Sequence, residues 1–238
     1  MTDYAAFAAC DPVYFREHAA AYVQSCVETE TNFILAIVDC DHETRAAANK
    51  MVNLSSKNLG NLWVMERTLE SVPDRTAYST ARFNLAASMM LSLENDCPNL
   101  LITDIDCFFN KHLPKPSEPV GLFLRESLPG TVGWESEGTR VAAGIVYVES
   151  SEIGRDFIAR ATYMMQTLPR KWFVDQVALH RASQFLDSSQ IHTFTETDMD
   201  WEFKQDSYIW TGKGDRKYTS PMYVARRREL EERLQCAS

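Results

Sequence analysis

Asn99-Leu100-Leu101-Ile102-Thr103-Asp104-Ile105-Asp106 is a short apolar run that ends in two carboxylates one residue apart. Its consecutive apolar residues suit a strand that is buried on both faces, as in the middle of a parallel sheet. Asp104 and Asp106 would then stand at the carboxyl end of that strand. Open α/β sheets bind their ligands outside these ends. The stretch therefore predicts both a central strand and a candidate site.

The amino-terminal segment shows the alternation of strands and helices that such a sheet needs. An apolar run, Tyr4–Cys10, ends at Asp11-Pro12, a helix N-cap followed by a proline at the first helical position. Strand and helix then repeat in Phe33–Val38 and His42–Val52, which favours a parallel, doubly wound sheet. In the first helix, apolar residues recur with a period of 3.6 at Phe15, Ala19, Tyr22, Val23 and Cys26.

The rest of the chain continues this pattern. Lys111–Pro119, which contains three prolines, indicates a loop, and the charged helix at Val224–Gln235 indicates a solvated face. The predicted fold class is α/β, with a mostly parallel central sheet and helices on both faces. The remaining predicted elements are strands at Leu62–Met65, Asn99–Thr103, Val120–Leu124 and Gly144–Val148, and helices at Ala77–Leu93, Ser151–Leu168 and from about Asp175.

Composition and charge argue against several classes of function. The chain has 238 residues, 45% hydrophobic and 24% charged, which is typical of a globular protein. Its net charge of −9 opposes binding to a polyanionic duplex, so we expect no nucleic-acid partner. No apolar run approaches the roughly 20 residues of a membrane span, and the start lacks the basic region of a signal peptide. Six scattered cysteines indicate reduced thiols, and we predict a cytoplasmic protein without a transmembrane segment.

Two carboxylates at a strand end can hold a hard divalent cation and leave coordination positions for phosphate oxygens and water. An Asp-x-Asp triplet can also be a turn or a helix cap. Haloacid-dehalogenase phosphatases place a small hydroxyl or β-branched residue four positions after the first Asp, where this chain has Phe108. The string Asp104–Phe109 resembles the first metal motif of translesion DNA polymerases, but the acidic balance and the lack of a Ser-x-Asp-Glu partner argue against that function. Sugar-nucleotide transferases remain.

Five segments occur in the order seen in A-type glycosyltransferases: Tyr4–Cys10 with Asp11, Tyr78–Phe83, Leu100–Asp106, Ala142–Gly144 and Trp172–Gln176. The set resembles the retaining branch typified by glycogenin and the lipopolysaccharide galactosyltransferases. That branch combines an arginine helix, Asp-x-Asp, a glycine-bearing strand, Asp-Gln and a late His-x-x-G-x-x-Lys. The resemblance covers about Tyr4 to Tyr218, and the order of the motifs carries it, since each motif alone is weak.

The resemblance implies an activity and an organisation. The enzyme would move a sugar from a nucleoside-diphosphate sugar, expected to be a UDP-sugar, to a glycan, protein or lipid-linked acceptor. Mn²⁺ or Mg²⁺ would assist, and the anomeric configuration would be retained. One catalytic domain would span residues 1–223, with the nucleotide-sugar half at about 1–110 and the acceptor half at about 111–223. A charged helix at 224–238 would follow it.

Position by position, the resemblance also assigns site residues. Asp104 and Asp106 would bind the metal, while Asp175 and Gln176 would be catalytic, with Gln176 facing the anomeric carbon. Arg82 would turn toward the Asp pair and the donor. The donor-binding set would be Ala8, Cys10, Asp11, Arg82, Asp104, Ile105, Asp106, Gly144, Lys213, Gly214, Arg216 and Lys217.

The late motif departs from the family pattern. In Ile209–Lys217, Thr211 stands where the family has its histidine, while Gly214 and Lys217 match. The family's third protein ligand to the metal is therefore missing or weakened. Glycines let backbone N–H groups approach a pyrophosphate, and Lys213, Arg216 and Lys217 add positive charge. The alternative is a glycine-rich surface turn with solvated lysines.

Other candidate residues also have ordinary structural interpretations. Arg82 could be an exposed helix residue, Gly144 a simple strand glycine, and Asp175 the N-cap of the helix that follows. Trp134 and Trp172 could be packing residues or platforms that stack on a sugar ring. The histidines show no ligand spacing, so none receives a role.

Two other classes of function stay open. The first is a nucleotidyltransferase, which has a related sheet but begins with a glycine-rich signature that Ala8-Ala9-Cys10-Asp11 does not contain. The second is a catalytically silent module that binds nucleotide sugars, and the missing histidine supports it.

Overall fold

The computed structural model describes residues 3–55, 63–67, 75–93 and 97–236. The chain divides into two compact units. Unit 1 comprises Met1–Ser71, Asp104–Pro114 and Thr195–Ser238, and unit 2 comprises Val72–Thr103 and Lys115–Phe194.

The helices and strands of unit 1 are β1 (Ala5–Cys10), α1 (Pro12–Glu28), β2 (Asn32–Val38), α2 (His42–Ser55), β3 (Trp63–Arg67), β5 (Cys107–Phe109), β9 (Met199–Asp200), β10 (Ile209–Thr211), α7 (Arg216–Thr219) and α8 (Pro221–Cys236). Strand β2 pairs in parallel with β1 and with β3. A second, small sheet has the order β5-β10-β9.

The helices and strands of unit 2 are α3 (Arg75–Leu93), β4 (Leu100–Thr103), β6 (Val120–Leu124), α4 (Gly133–Gly138), β7 (Val141–Val148), α5 (Glu152–Thr167), α6 (Val174–Ser183), a 3-10 turn (Ser188–Gln190) and β8 (Ile191–Thr193). Its strands form a mixed sheet. Strand β7 pairs antiparallel with β4 and with β6, and β6 pairs in parallel with β8.

The predicted fold class, an α/β fold with a mostly parallel sheet flanked by helices, is confirmed. Most predicted elements lie within a few residues of their observed bounds. The strand predicted at Gly144–Val148 begins earlier, at Val141. Of the strand predicted at Leu62–Met65, Leu62 lies outside the described residues, and β3 begins at Trp63. Within the described ranges, no helix combines the length and the apolar character that a membrane crossing requires.

The start of α1 follows from its sequence. The backbone N–H of Tyr14 donates to Oδ1 of Asp11 at 2.7 Å, and Pro12 occupies the first helical position. The N-cap therefore accepts one of the hydrogen bonds that the first helical turn cannot make internally. The predicted apolar face is buried as expected, at Phe15, Ala19, Tyr22, Val23 and Cys26.

The interpretation of the carboxyl-terminal helix as a solvated face is wrong in part. Helix α8 begins at Pro221 and packs against α1. It buries Tyr223, Leu230 and Leu234, which lie on one face because they are seven and four positions apart. Its Arg226 also pairs with Glu28 of α1 at 2.9 Å. The helix is thus amphipathic, although charged residues dominate its sequence.

The structure also corrects one local assignment. Asp175 is not the N-cap of α6, because the helix begins at Val174 and the N-cap position is Phe173. Phe173 has φ 73°, in the left-handed region, whereas an N-cap residue is usually extended. Asp175 is the second residue of the helix, and its Oδ1 accepts from the N–H of Gln176 at 2.9 Å.

Candidate functional site

The Asp-x-Asp triplet leaves β4 and leads directly into β5. Ile105 and Asp106 are buried, while Asp104 is half-buried. A tight turn holds the triplet, because the N–H of Cys107 donates to the carbonyl of Asp104 at 3.3 Å. A turn is one of the two structural alternatives to a metal site that the sequence allows for this triplet. It is compatible with a ligand-binding role.

The small sheet of unit 1 brings the late motif to Asp106. Strand β10 pairs antiparallel with β5 and sets Thr211 opposite Cys107. The N–H of Gly212 then donates to the carbonyl of Asp106 at 2.9 Å. A side chain at position 212 would collide with Lys217, because a Cβ built there would lie 2.8 Å from the Lys217 Cβ. A glycine is therefore required at 212 for this close approach.

Lys217 forms a buried ion pair with Asp106. Its Nζ lies 2.7 Å from Oδ2 of Asp106, and only 7% of each residue is exposed. Nζ also donates to the hydroxyl of Tyr14 at 3.1 Å. Burial works to lower the pKa of Lys217, but the charge of Asp106 and the hydrogen bonds to Asp106 and Tyr14 outweigh it and raise that pKa. The lysine is therefore charged at neutral pH.

The other basic residues of the late motif do not join Lys217. Lys213 and Arg216 are exposed, and both lie against Trp201. Nζ of Lys213 stands 4.8 Å from the centre of the Trp201 ring, and Nη1 of Arg216 is 3.5 Å from the Trp201 carbonyl oxygen. Gly214, at φ 63°, makes the turn between them. The structure thus brings one of the three predicted phosphate-binding side chains to the Asp pair.

The donor-binding residues assigned to the amino terminus lie at the end of β1. Ala8 and Cys10 are buried in the strand, and Asp11 caps α1. Burial is the main cause that raises the pKa of the Cys10 thiol, and the charge of Asp11 raises it further. Cys10 is therefore a protonated, buried thiol at neutral pH.

In unit 2, Arg82 and Asp175 form the second buried ion pair. Nη2 of Arg82 lies 3.5 Å from Oδ2 of Asp175 and donates to the carbonyl of Ala143 at 2.9 Å. Arg82 is thus buried, and its interpretation as an exposed helix residue is wrong. Burial raises the pKa of Asp175, although the charge of Arg82 and backbone hydrogen bonds oppose the shift. Gly144 follows Ala143 in β7 and is half-buried.

The carboxamide of Gln176 is held against β7. Its Nε2 donates to the carbonyl of Val141 at 2.6 Å and to that of Gly138 at 2.9 Å, since the opposite orientation would face an oxygen toward two carbonyl oxygens. Gln176 and its neighbour Asp175 therefore have fixed positions at the start of α6. Trp134 is half-buried, and its Nε1 donates to the carbonyl of Trp172 at 2.8 Å, while Trp172 itself is 57% exposed.

The residues at the Asp pair fit a cation site that substrate oxygens and water complete. No group of three or more His, Cys, Asp or Glu side chains converges among the described residues. Thr211 offers a hydroxyl where a third ligand would be expected, and it is buried. Asp104 and Asp106 can supply carboxylate oxygens to a cation whose other ligands are substrate phosphate oxygens and water, a common mode for Mg²⁺. Asp106 would share its carboxylate with Lys217.

Two residues of this site were not found from the sequence. The hydroxyl of Tyr223 donates to the carbonyl of Asp106 at 2.7 Å, and its ring stacks on Phe108 at 4.4 Å. Tyr14 accepts a hydrogen bond from Lys217. Tyr14 follows the Asp11-Pro12 cap closely, so its place beside the strand end could have been inferred. Nothing in the sequence around Tyr223 indicates its partner.

No family model and no curated protein match the chain. Among solved structures, the chain is similar to the apo form of mouse xyloside xylosyltransferase 1, with a TM-score of 0.51 and 12% identity over 90% of this chain and 99% of that one. It is also similar to the apo structure of the bifunctional glycosyltransferase WbbM, with a TM-score of 0.62 and 10% identity. That match covers 100% of this chain but 52% of WbbM, so the chain spans about half of its length. At these identities the similarity establishes the fold.

Proposed function

We propose that the chain is a glycosyltransferase that moves a sugar from a nucleoside-diphosphate sugar, with a UDP-sugar as the expected donor. The observation that carries the proposal is the buried Lys217–Asp106 pair, held against the strand-end turn by Gly212 and Tyr223. It places a fixed positive charge next to the Asp106 carboxylate of the Asp-x-Asp turn, in an acidic chain. The likeness of the fold to that of two glycosyltransferases supports the same function. The acceptor would be a glycan, a protein or a lipid-linked sugar.

The role proposed for Lys217 is to bind the donor diphosphate. A charged ammonium group forms strong hydrogen bonds with phosphate oxygens, and Tyr14 holds its position. As the glycosidic bond to the donor breaks, negative charge grows on the leaving diphosphate. A preorganised cation stabilises that charge in the transition state. Lys213 and Arg216 are exposed on the same turn and would add attraction over a longer range.

The predicted cofactor, Mn²⁺ or Mg²⁺, is proposed to lie at Asp104 and Asp106. A divalent cation bound there would neutralise charge on the two phosphates of the donor. Because Asp106 is shared with Lys217, the protein supplies few ligands, and we expect the metal to bind mainly together with the diphosphate. The donor itself would complete the coordination.

Asp175 and Gln176 are proposed to act on the transferred sugar. Their fixed positions at the start of α6, with Arg82 beside Asp175, suit a group that must meet a sugar in one orientation. We propose a retaining outcome on the resemblance to the retaining branch. The anomeric proton of the product, followed by NMR, should keep the α configuration of the donor, and a β product would exclude retention.

The first experiment is thermal unfolding with nucleoside diphosphates, with and without Mn²⁺. A ligand that binds only the native state stabilises it by about 2.7 kcal/mol at 100 times its Kd. We expect UDP with Mn²⁺ to raise Tm, and Asp106→Ala to remove the part that depends on the metal. Asp156→Ala, which removes a carboxylate with 69% side-chain exposure on α5, is the matched control. A metal-dependent shift that survives in Asp106→Ala would contradict the metal assignment.

A catalytically silent module that binds nucleotide sugars is the second candidate. Thr211, in β10 opposite Cys107, favours it because no histidine occupies this position. Release of free sugar from a UDP-sugar would distinguish the two, since an enzyme of this class hydrolyses its donor slowly and a silent module does not.

We also propose a cytoplasmic location. All six cysteines are free thiols in the structure, and most are buried. Reduced, unpaired cysteines are typical of proteins in reducing compartments. If the proposal is right, directing the protein to an oxidising compartment should produce disulfide-linked species and reduce the amount of folded protein.

A further inference from the structure

Unit 2 contains a cavity that none of the sequence-based assignments explains. Its volume is about 320 Å³, which is the lower end of the range for sites that bind small molecules. It lies between the carboxyl end of β6, the start of β7 and the second half of α6. Its polar lining residues include Arg125, Arg140, His180, Gln184 and Ser188.

Positive charge dominates this cavity. Arg125 directly follows β6 and Arg140 directly precedes β7, and the N–H of Arg125 donates to the carbonyl of Arg140 at 2.8 Å. His180 lines the cavity from α6, and because burial and the charge of Arg140 lower its pKa, it is a neutral hydrogen-bonding group at neutral pH. None of the described lining residues is acidic. Glu137 lies close to His180, but Arg181 engages it through two hydrogen bonds of 2.6 and 3.2 Å. Its charge is therefore already compensated by a residue outside the cavity wall.

Arg125 has few partners for a half-buried cation. Its Nε is buried and has no hydrogen-bond partner among the described residues. Its Nη2 reaches the carbonyl of Val141 only at 3.4 Å. Burial lowers the pKa of Arg125, which reflects the cost of desolvating the guanidinium. A half-buried guanidinium without a carboxylate bears part of this desolvation cost, and an anion in the cavity would offset it by pairing with the terminal nitrogens of Arg125.

The cavity adjoins a residue with a proposed role in the reaction. Nη2 of Arg125 lies 3.4 Å from the carboxamide of Gln176. Both side chains approach the carbonyl of Val141 at the start of β7. A molecule bound to Arg125 would therefore be separated by this one side chain from Gln176, the group proposed to act on the sugar, within the same unit.

We propose that this cavity binds an anionic group of the acceptor, a phosphate or a carboxylate, through Arg125, Arg140 and His180. The proposal rests on the proposed glycosyltransferase function, because that function makes the second ligand an acceptor. Both arginines line the cavity, and each guanidinium can offer paired N–H groups to the oxygens of either anion. The hydroxyl of Ser188 and the carboxamide of Gln184 add hydrogen-bonding groups at the rim.

Calorimetric titration with inorganic phosphate and with glucuronate, carried out both without and with saturating UDP, tests the site. We expect wild-type protein to bind at least one of them in the presence of saturating UDP. Arg140→Gln should weaken that binding about tenfold or more, as expected for a charged hydrogen bond. Lys171→Gln, which removes an exposed positive charge in unit 2 outside the cavity, should leave it unchanged. The preferred anion identifies the acidic group.

A transfer assay then tests the link to the acceptor. Wild-type protein should prefer an acceptor sugar that carries the bound anion over the uncharged sugar, and Arg140→Gln should lose that preference through a higher KM. The proposal would be overturned if wild-type protein bound neither anion, if Arg140→Gln bound the anion as tightly as wild type, or if UDP competed with the anion. Equal transfer to the charged and the uncharged acceptor would also overturn it. If only the proposed function fails, UDP-sugars will neither bind nor turn over while the anion titration stays positive.

Discussion

The ion pair between Asp106 and Lys217 in unit 1 is tight, whereas the pair between Arg82 and Asp175 in unit 2 is loose. Both are buried, and their closest oxygen and nitrogen atoms are 2.7 and 3.5 Å apart, respectively. In the first pair the carboxylate and Tyr14 raise the pKa of the lysine despite burial. In the second, burial raises the pKa of the carboxyl group despite the arginine.

This difference shows which pair stabilises the folded state at neutral pH and which one contains a carboxylate that lowers its stability. A raised pKa of Lys217 means that its charged form is favoured by folding, so the pair stabilises the native state at neutral pH. A raised pKa of Asp175 means that its charged form is disfavoured by folding, so the carboxylate lowers stability at neutral pH. Groups held at such a cost are frequent at functional sites, which agrees with the role proposed for Asp175.

The largest expected effect is the loss of Lys217. Lys217→Ala leaves Asp106 buried without its cation, and removal of one partner of a buried pair costs about 3–5 kcal/mol. Urea unfolding measures it. Lys213→Ala, at an exposed position on the same turn, is the matched control and should change the free energy of unfolding by less than about 0.5 kcal/mol.

A double variant sharpens this comparison. Asp106→Asn with Lys217→Met replaces both charges with neutral groups, and it should recover part of the stability that Lys217→Ala loses. Loss of less than about 1 kcal/mol in Lys217→Ala would show that the pair is not an important part of the fold.

The next effect concerns chemistry in unit 2. Gln176→Ala should lower kcat about tenfold or more and leave donor affinity within about threefold, because an interaction made mainly in the transition state affects kcat. Steady-state kinetics with a UDP-sugar measures both. Gln166→Ala, which truncates an amide on α5 that bonds to Asn84, should change neither constant. An unchanged kcat in Gln176→Ala would leave its contacts with β7 as a purely structural role.

The smallest expected effect is the pH dependence of the second pair. Because burial raises the folded-state pKa of Asp175 above 3.8, the native state holds this proton more tightly than the unfolded state. Stability from this group is present below pH 3.8 and is lost as the pH rises through the folded-state pKa. Asp175→Asn should therefore gain stability relative to wild type as the pH rises toward 7.

Chemical unfolding at several pH values checks this prediction. Asp156→Asn, on the exposed face of α5, serves as the control and should follow the wild-type pH profile. A constant difference between Asp175→Asn and wild type at all pH values would contradict the assigned shift of the pKa.

Local patterns in the sequence were sufficient for the longer helices and strands and for part of the site, but not for short elements such as β5 and β10. Asp11 and Pro12 start α1 because a cap and a fixed proline φ act within one turn. The strand before Asp104 is buried as its apolar run predicts. The alternative that Asp175 is a cap is wrong, because the N-cap is Phe173, and a phenylalanine does not indicate the left-handed conformation that it has there.

The sequence by itself determined the α/β alternation, the carboxylates at the end of β4 and the glycines that the late turn requires. Only the tertiary structure decided which charges meet. Lys217 reaches Asp106 although 111 positions separate them, while Lys213 and Arg216 lie against Trp201. Helical period and capping are local, whereas an ion pair depends on strand pairing and burial that bring distant residues together. For the same reason the arginines of the cavity, Arg125 and Arg140, gave no signal in the sequence.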